Sequence, residues 1–217
     1  MSVKVDVWGE YACFSRPELK VERVSYDVMT PSAARGILEA VYWHPGLCWH
    51  IDRIYVLNPI RFTNIRRNEV KSKISKLKAK AAMQGSCEPL YLCAADDIQQ
   101  RAAMVLFDVR YVIEAHFTMT DKANESDNES KFQSIVKRRL QKGQCYHQPY
   151  FGCREFPANF CLYEDGEIPS AYNGQERDLG YMLYDMNYSN PTNIEPMFFR
   201  AKLKGGVLDL RDCEVVR

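Results

Sequence analysis

Eighteen residues, Ala102 to Met119, constrain this chain more than any other stretch. Within them Tyr111, Ile113, Ala115, Phe117 and Met119 alternate with Val112, Glu114, His116 and Thr118. A period of two is that of a β-strand with one apolar face and one more polar face. If the apolar set packs under helices, His116 looks out from the opposite, open face. Further strands are predicted by the same criterion. Val3 to Trp8 alternates, with Val3, Val5 and Val7 on one face. Ile51 to Phe62 is β-rich and broken at Pro59, where the missing N–H ends a ladder. Arg154 to Tyr163 reads as another strand. Leu179–Tyr188, Met197–Lys204 and Val207–Leu210 follow, punctuated by turns at Asn190-Pro191 and Gly205-Gly206.

Two helices are expected between these strands. Thr30 is an N-cap residue and Pro31 fits a first helical turn, where its missing donor costs nothing. Ala34, Ile37, Leu38 and Val41 then recur at helical spacing, and Pro45 disfavours helix at His44. A helix over 31–43 therefore ends with Tyr42 and Trp43 at its rim. Gly36 inside it costs about 1 kcal/mol relative to Ala and signals a close approach to the backbone. The second helix carries Phe132, Ile135, Val136 and Leu140, with capping-box spacing at Ser126 and Glu129 and a stop at Gly143. Its outer face is expected to show Lys131, Lys137, Arg138, Arg139 and Lys142. Strand, helix, strand, strand, helix, strand is the order of a ferredoxin-like (RNA-recognition-like) α+β sandwich. We place it over residues 1–163 and expect a small C-terminal antiparallel β-sheet over 164–217.

The net charge of +1 hides a segregation. Between Arg61 and Lys80 there are eight Lys or Arg and one acid, Glu69, so that segment holds +7 and the rest about −6. Clustered cations gain affinity for a polyanion by releasing counterions from its phosphates. The segment lies in an insertion near 61–100, expected as a long loop or hairpin that orders on its ligand. Lys20, Arg23 and Arg35 bring further positive charge to the first helix. The eight cysteines contain no C-x-x-C pair, which gives a zinc site little support, and they are expected to be reduced, buried fillers. The amino-terminal residues lack the apolar core of a signal peptide, and no stretch is long enough to span a membrane, so a cytoplasmic protein is expected.

Four histidines, His44, His50, His116 and His147, are candidates for proton transfer, since imidazole titrates near neutrality. Metal-independent RNA cleavage needs a base for the ribose 2′-OH, an acid for the departing 5′-oxygen and a cation for the phosphorane. The aromatic signature of ordinary RNA-recognition domains is absent, so RNA binding should rest on charge.

The run Y-A-C-F-S-R-P-E-L-K-V-E-R-V-S-Y-D-V-M-T-P-S-A-A-R-G-I-L-E-A-V-Y-W-H-P, from Tyr11 to Pro45, resembles the type I-C form of the CRISPR-associated Cas-five family. So do L-N-P-I-R-F-T-N-I-R-R-N-E-V (Leu57–Val70), Y-V-I-E-A-H-F (Tyr111–Phe117), G-C-R-E-F-P-A (Gly152–Ala158) and R-D-L-G-Y-M-L (Arg177–Leu183). The resemblance implies a ferredoxin-like domain followed by a β domain. It also implies a ribonuclease that cuts the CRISPR repeat transcript with a tyrosine, a lysine and a histidine. The tyrosine of the Y-W-x-P motif falls on Tyr42, and the histidine of A-H-F on His116. Glu114 and Ala115 stand where the lysine is expected, leaving Lys20, Lys122 or the basic segment to supply the cation. Arg16, Lys20, Arg23, Arg35, Arg66, Arg67, Lys71 and Lys73 are the candidate RNA contacts. The implied partners are CRISPR precursor and guide RNA, the repeated backbone and large subunits of the effector complex, and target DNA. No cofactor, metal or membrane is expected. The alternative is a non-catalytic RNA-binding and assembly subunit of the same complex; a small metabolic enzyme would need a phosphate-cradling glycine loop or a metal cluster.

Overall fold

The computed structural model describes residues 2–19, 21–164 and 166–217. It is organised around β5 (Ile98–Met119), a strand of 22 residues. Such a strand is roughly 70 Å long at the usual rise, too long for one partner. Its last third pairs antiparallel with β3 (Leu47–Val56), its middle with β1 (Val3–Ala12), and its first third with β4 (Phe62–Val70). A short β2 (Arg23–Val24) adds the one parallel pairing to β5. The change of partner comes at Asp108, the one described non-glycine residue with positive φ, 53°. Asp tolerates this region, and Asn58 Nδ2 holds both its carbonyl at 3.0 Å and its carboxylate at 3.2 Å.

On the far edge of β1 lies β6 (Asn159–Leu162), shorter than the strand expected from Arg154. Beyond β3 come β9 (Val207–Asp209), β8 (Glu195–Lys204) and β10 (Val215–Val216), and β7 (Glu176–Asn187) pairs with β8. The C-terminal strands are antiparallel, as expected, and β9 bonds both β8 and β3, so they continue the main sheet. Gly205 and Gly206, at φ 57° and 79°, make the turn between β8 and β9. The overall class is α+β, dominated by antiparallel sheet.

Helix α1 (Pro31–Val41) begins as its sequence dictates, with Ala33 N–H donating to Thr30 Oγ1 at 3.3 Å. Ala34, Ile37, Leu38 and Val41 are all buried. The helix stops at Val41, and Tyr42 is already extended at φ −148°. A Cβ at Gly36 would meet nothing within 4 Å, so no close approach explains that glycine. Helix α3 (Glu129–Lys142) is capped by Asn128, not Ser126: Lys131 N–H donates to Asn128 Oδ1 at 2.9 Å. Gly143 closes it at φ 63°. Phe132, Val136 and Leu140 pack inward beside Val5, Val7, Ile113 and Ala115 of the sheet core. Arg139 is not on the outer face; its guanidinium donates to Val41 O and lies over the Tyr42 ring.

The basic insertion is a hairpin of β4 and the start of β5 carrying α2 (Lys76–Met83). None of the residues of α2 is buried, so the helix depends on its Ser75 cap and internal bonds. The cysteines are free, but Cys48, Cys87 and Cys93 are exposed and only Cys13 is fully buried. Filling a core thus explains few of them. Among the described residues no helix is long and apolar enough to cross a membrane.

Candidate active site

His116 is placed by strand alternation. Its neighbour Phe117 turns toward α3, with ring centroids 6.3 Å from Phe132. His116 therefore faces the other way, onto the side of the sheet that α1 and α3 leave open. The side chain is 39% exposed, and its Nδ1 lies 2.9 and 3.0 Å from the two carboxylate oxygens of Asp52. Asp52 reaches this position through a β-bulge. The register runs from Ile51 opposite Ala115 to Arg53 opposite Glu114, which leaves Asp52 as the extra residue. Burial parity confirms the shift: Leu47 and Trp49 are buried before it, Ile54 and Val56 after it. A bulge re-aims side chains in this way at the cost of one ladder position. Held at Nδ1 by a carboxylate and partly exposed, His116 has the geometry of a histidine oriented for proton transfer.

Two residues from His116 on the same face, Glu114 accepts from Tyr55 Oη at 2.7 Å and from Arg53 Nη1 at 3.2 Å. Burial works against its charge, but these bonds and nearby Lys4 hold its carboxyl below the usual glutamate range. Arg53 is bound on its other side to Asp209 at 3.1 Å. Lys4 lies directly across the β1–β5 ladder from Glu114, with no carboxylate in ion-pair range among the described residues. It is a cation placed by register opposite Glu114, one of the two positions where the resemblance expects a lysine. Lys122 sits in the turn after β5, and Lys20 lies outside the described residues.

Tyr42 does not meet His116. Its ring packs against Phe132 at 6.0 Å under the Arg139 guanidinium at 5.0 Å, on the helical side of the sheet. Tyr42 is 8% exposed, and burial, more than any nearby charge, raises its phenol pKa. The residue instead positions the entry to β3: its carbonyl accepts from Trp49 Nε1 at 3.1 Å.

The family model described as CRISPR-associated protein (Cas_Cas5) matches residues 2–211. This chain belongs to the Cas5 family of CRISPR-associated proteins. It is 53% identical over 213 residues to a protein named CRISPR pre-crRNA endoribonuclease Cas5d from Mannheimia succiniciproducens, covering 96% of this chain and 94% of that one. A protein of the same name from Thermus thermophilus is 41% identical over 225 residues, covering 96% and 90%. Two solved structures share the fold. One, a CRISPR-associated protein, superposes with a TM-score of 0.72 at 24% identity over 100% of this chain and 97% of its own. The other, a functionally uncharacterized protein from Streptococcus mutans, gives 0.71 at 22% identity over 100% and 97%.

The candidate RNA contacts of this Cas5 chain divide into two groups. Arg16 is bound to Asp27 at 3.1 Å and stacks on Tyr26. Arg35 pins α1 to β7 through Asp185 at 2.9 and 3.1 Å and bonds Glu39 at 2.7 Å. Burial opposes its charge, but the two carboxylates raise its pKa further above the usual arginine value. Arg23 and Arg67 share Glu69 and Glu155. By contrast Arg66, Lys71 and Lys73 are exposed, with no carboxylate in ion-pair range among the described residues. The first group is paired with carboxylates and the second is not, among the described residues.

Sequence reasoning missed Asp52, although the apolar alternation of Leu47, Trp49 and Ile51 slips by one residue to Ile54 and Val56 across it, which is the signal of the bulge. His50 stands among four candidate histidines, and its place opposite His116 becomes visible only with the register.

Proposed function

We propose that this chain is a metal-independent endoribonuclease that cuts CRISPR precursor RNA and then stays on the 5′ handle of the guide. The ribose 2′-oxygen attacks the adjacent phosphorus, leaving a cyclic phosphate and a 5′-hydroxyl. The observation that carries this is the exposed His116 oriented by Asp52, in a chain 53% and 41% identical to two proteins named CRISPR pre-crRNA endoribonuclease. His116 acts as a proton carrier and Lys4 as a cation for the phosphorane. Arg66, Lys71 and Lys73 bind phosphates along the insertion. Tyr42, implied in the cut by the resemblance, is given a positioning role here because its ring is held under Arg139.

The proposal has an architectural part. The strand order β6-β1-β5-β3 with α1 and α3 on one side supports a ferredoxin-like sandwich over residues 1–163. The strands of 164–217 form the second unit, attached through β9. The assembly would work in the cytoplasm with the repeated backbone and large subunits of an effector complex and in contact with target DNA. Glu114 and Ala115, standing where the resemblance expects a lysine, favour a second reading, in which the chain only binds RNA and organises that complex.

Incubating the purified protein with its cognate repeat RNA in EDTA separates the two. Wild type should cut at one position, and His116→Ala should bind equally but cut roughly 10²–10⁴-fold more slowly. Binding without cutting by wild type would establish the assembly role. Undiminished cutting by the variant would remove His116 from the chemistry.

A further inference from the structure

Cleavage by a ribose hydroxyl needs two proton transfers, and the open face of the sheet presents two imidazoles. His50 of β3 stands directly across the ladder from His116 of β5. Their ring centroids are 5.0 Å apart and their planes 17° from parallel. Their surroundings differ in kind. Asp52 holds His116 at Nδ1, whereas His50 is exposed and has Thr118 Oγ1 2.9 Å from its Nε2. No carboxylate is hydrogen-bonded to His50 among the described residues, and its Nδ1 is unengaged.

We infer that His50 is a second catalytic residue, the base that accepts the 2′-hydroxyl proton while His116 protonates the departing 5′-oxygen. This rests on the reading of His116 as a proton carrier. As the 2′-oxygen bonds to phosphorus, its O–H bond breaks and the proton passes to His50. As the phosphorus–5′-oxygen bond breaks, that oxygen takes the proton of His116. One proton has then moved from one ring to the other, and exchange with water resets the pair. The arrangement suits the task because two stacked imidazoliums repel, so the pair holds one proton more readily than two. Asp52 balances charge on the His116 side. Burial, followed by the charge on His116, holds the His50 pKa below the usual histidine value against a smaller opposing effect of Asp52. Among the other charged groups on this face, Arg53 bonds Glu114 and Asp209, and Lys4 stands across the ladder from Glu114.

Single-turnover cleavage of repeat RNA between pH 5 and 9 tests this with wild type, His50→Gln and His116→Gln. Wild type should give a bell-shaped profile, since double protonation removes the base and double deprotonation removes the acid. His50→Gln should lose about 10²-fold in rate and the limb on the acidic side, while keeping RNA affinity. A His50→Gln protein with the wild-type rate and both limbs would overturn the inference while leaving His116 in place. If His116→Gln cuts like wild type, the underlying reading fails instead. A measurement independent of activity is histidine ring titration by NMR. His50 should titrate below free histidine in wild type and shift upward in His116→Gln; an unmoved titration would contradict the coupled pair.

Discussion

Replacing Asp52 by Asn changes one charge at one contact. The amide keeps the size of the side chain and an oxygen for His116 Nδ1, and the backbone bond from Leu210 N–H to the Asp52 carbonyl, 2.9 Å, is untouched. What is lost is the negative charge that faces the His116 imidazolium, the form that protonates the departing 5′-oxygen. A hydrogen bond to a charged partner contributes about 1.5–3 kcal/mol. The His116 side chain is 39% exposed, against 16% for Asp52, so solvent screens part of this and about 1–2 kcal/mol is the appropriate range. At 1.36 kcal/mol per factor of ten, the cleavage step should slow by roughly 5- to 30-fold. The assay is single-turnover cutting of end-labelled repeat RNA in EDTA, with the thermal midpoint followed in parallel. A full-rate Asp52→Asn protein would show that the carboxylate does not act through His116. A midpoint that falls with the rate would show that Asp52 secures the bulge and nothing more.

Three further outcomes follow from the placement of the other residues. Neutralising Arg66, Lys71 and Lys73 together should lower the slope of log affinity against log salt by about 2, at roughly 0.7 per lost phosphate contact on a single strand; an unchanged slope would make them solvated surface. Tyr42→Phe keeps the ring under Arg139 and should leave cutting within a few-fold of wild type, whereas Tyr42→Ala should cost about 3–5 kcal/mol of stability. A loss of about 10²-fold in Tyr42→Phe would restore the phenol as a proton carrier. Amides of α2 should exchange with solvent far faster than those of α1, because none of its residues is buried. Equal protection in the free protein would contradict an insertion held only by its hairpin.

The elements with strong local chemistry could be read from the chain. Thr30, Pro31 and the stripe Ala34–Ile37–Leu38–Val41 specify α1 through a cap and a period, both carried by adjacent residues. The alternation of Tyr111 to Met119 likewise put His116 on the polar side of its strand, where it is found. What local sequence does not carry lies where distant residues decide. Arg35 reads as a free cation until Asp185, 150 positions away, is folded against it, and Arg23 is claimed by Glu155, 132 positions away. Tyr42 lies on the apolar side, as the helix stripe suggests, although the helix ends two residues earlier than expected from Pro45. Asp52 joins His116 through a bulge that shows only as a slip in apolar alternation, and His50 through a register that local sequence does not express.

The nucleophile itself offers the sharpest test. A repeat RNA carrying a single 2′-deoxy substitution at the scissile nucleotide, given to wild-type protein in EDTA, removes only the attacking oxygen. The proposed chemistry predicts normal binding and no cut at that position, while the unmodified RNA is cut into a cyclic-phosphate and a 5′-hydroxyl fragment in the same buffer. Cleavage of the deoxy substrate at its usual position would contradict attack by the ribose and the part assigned to His116 in it.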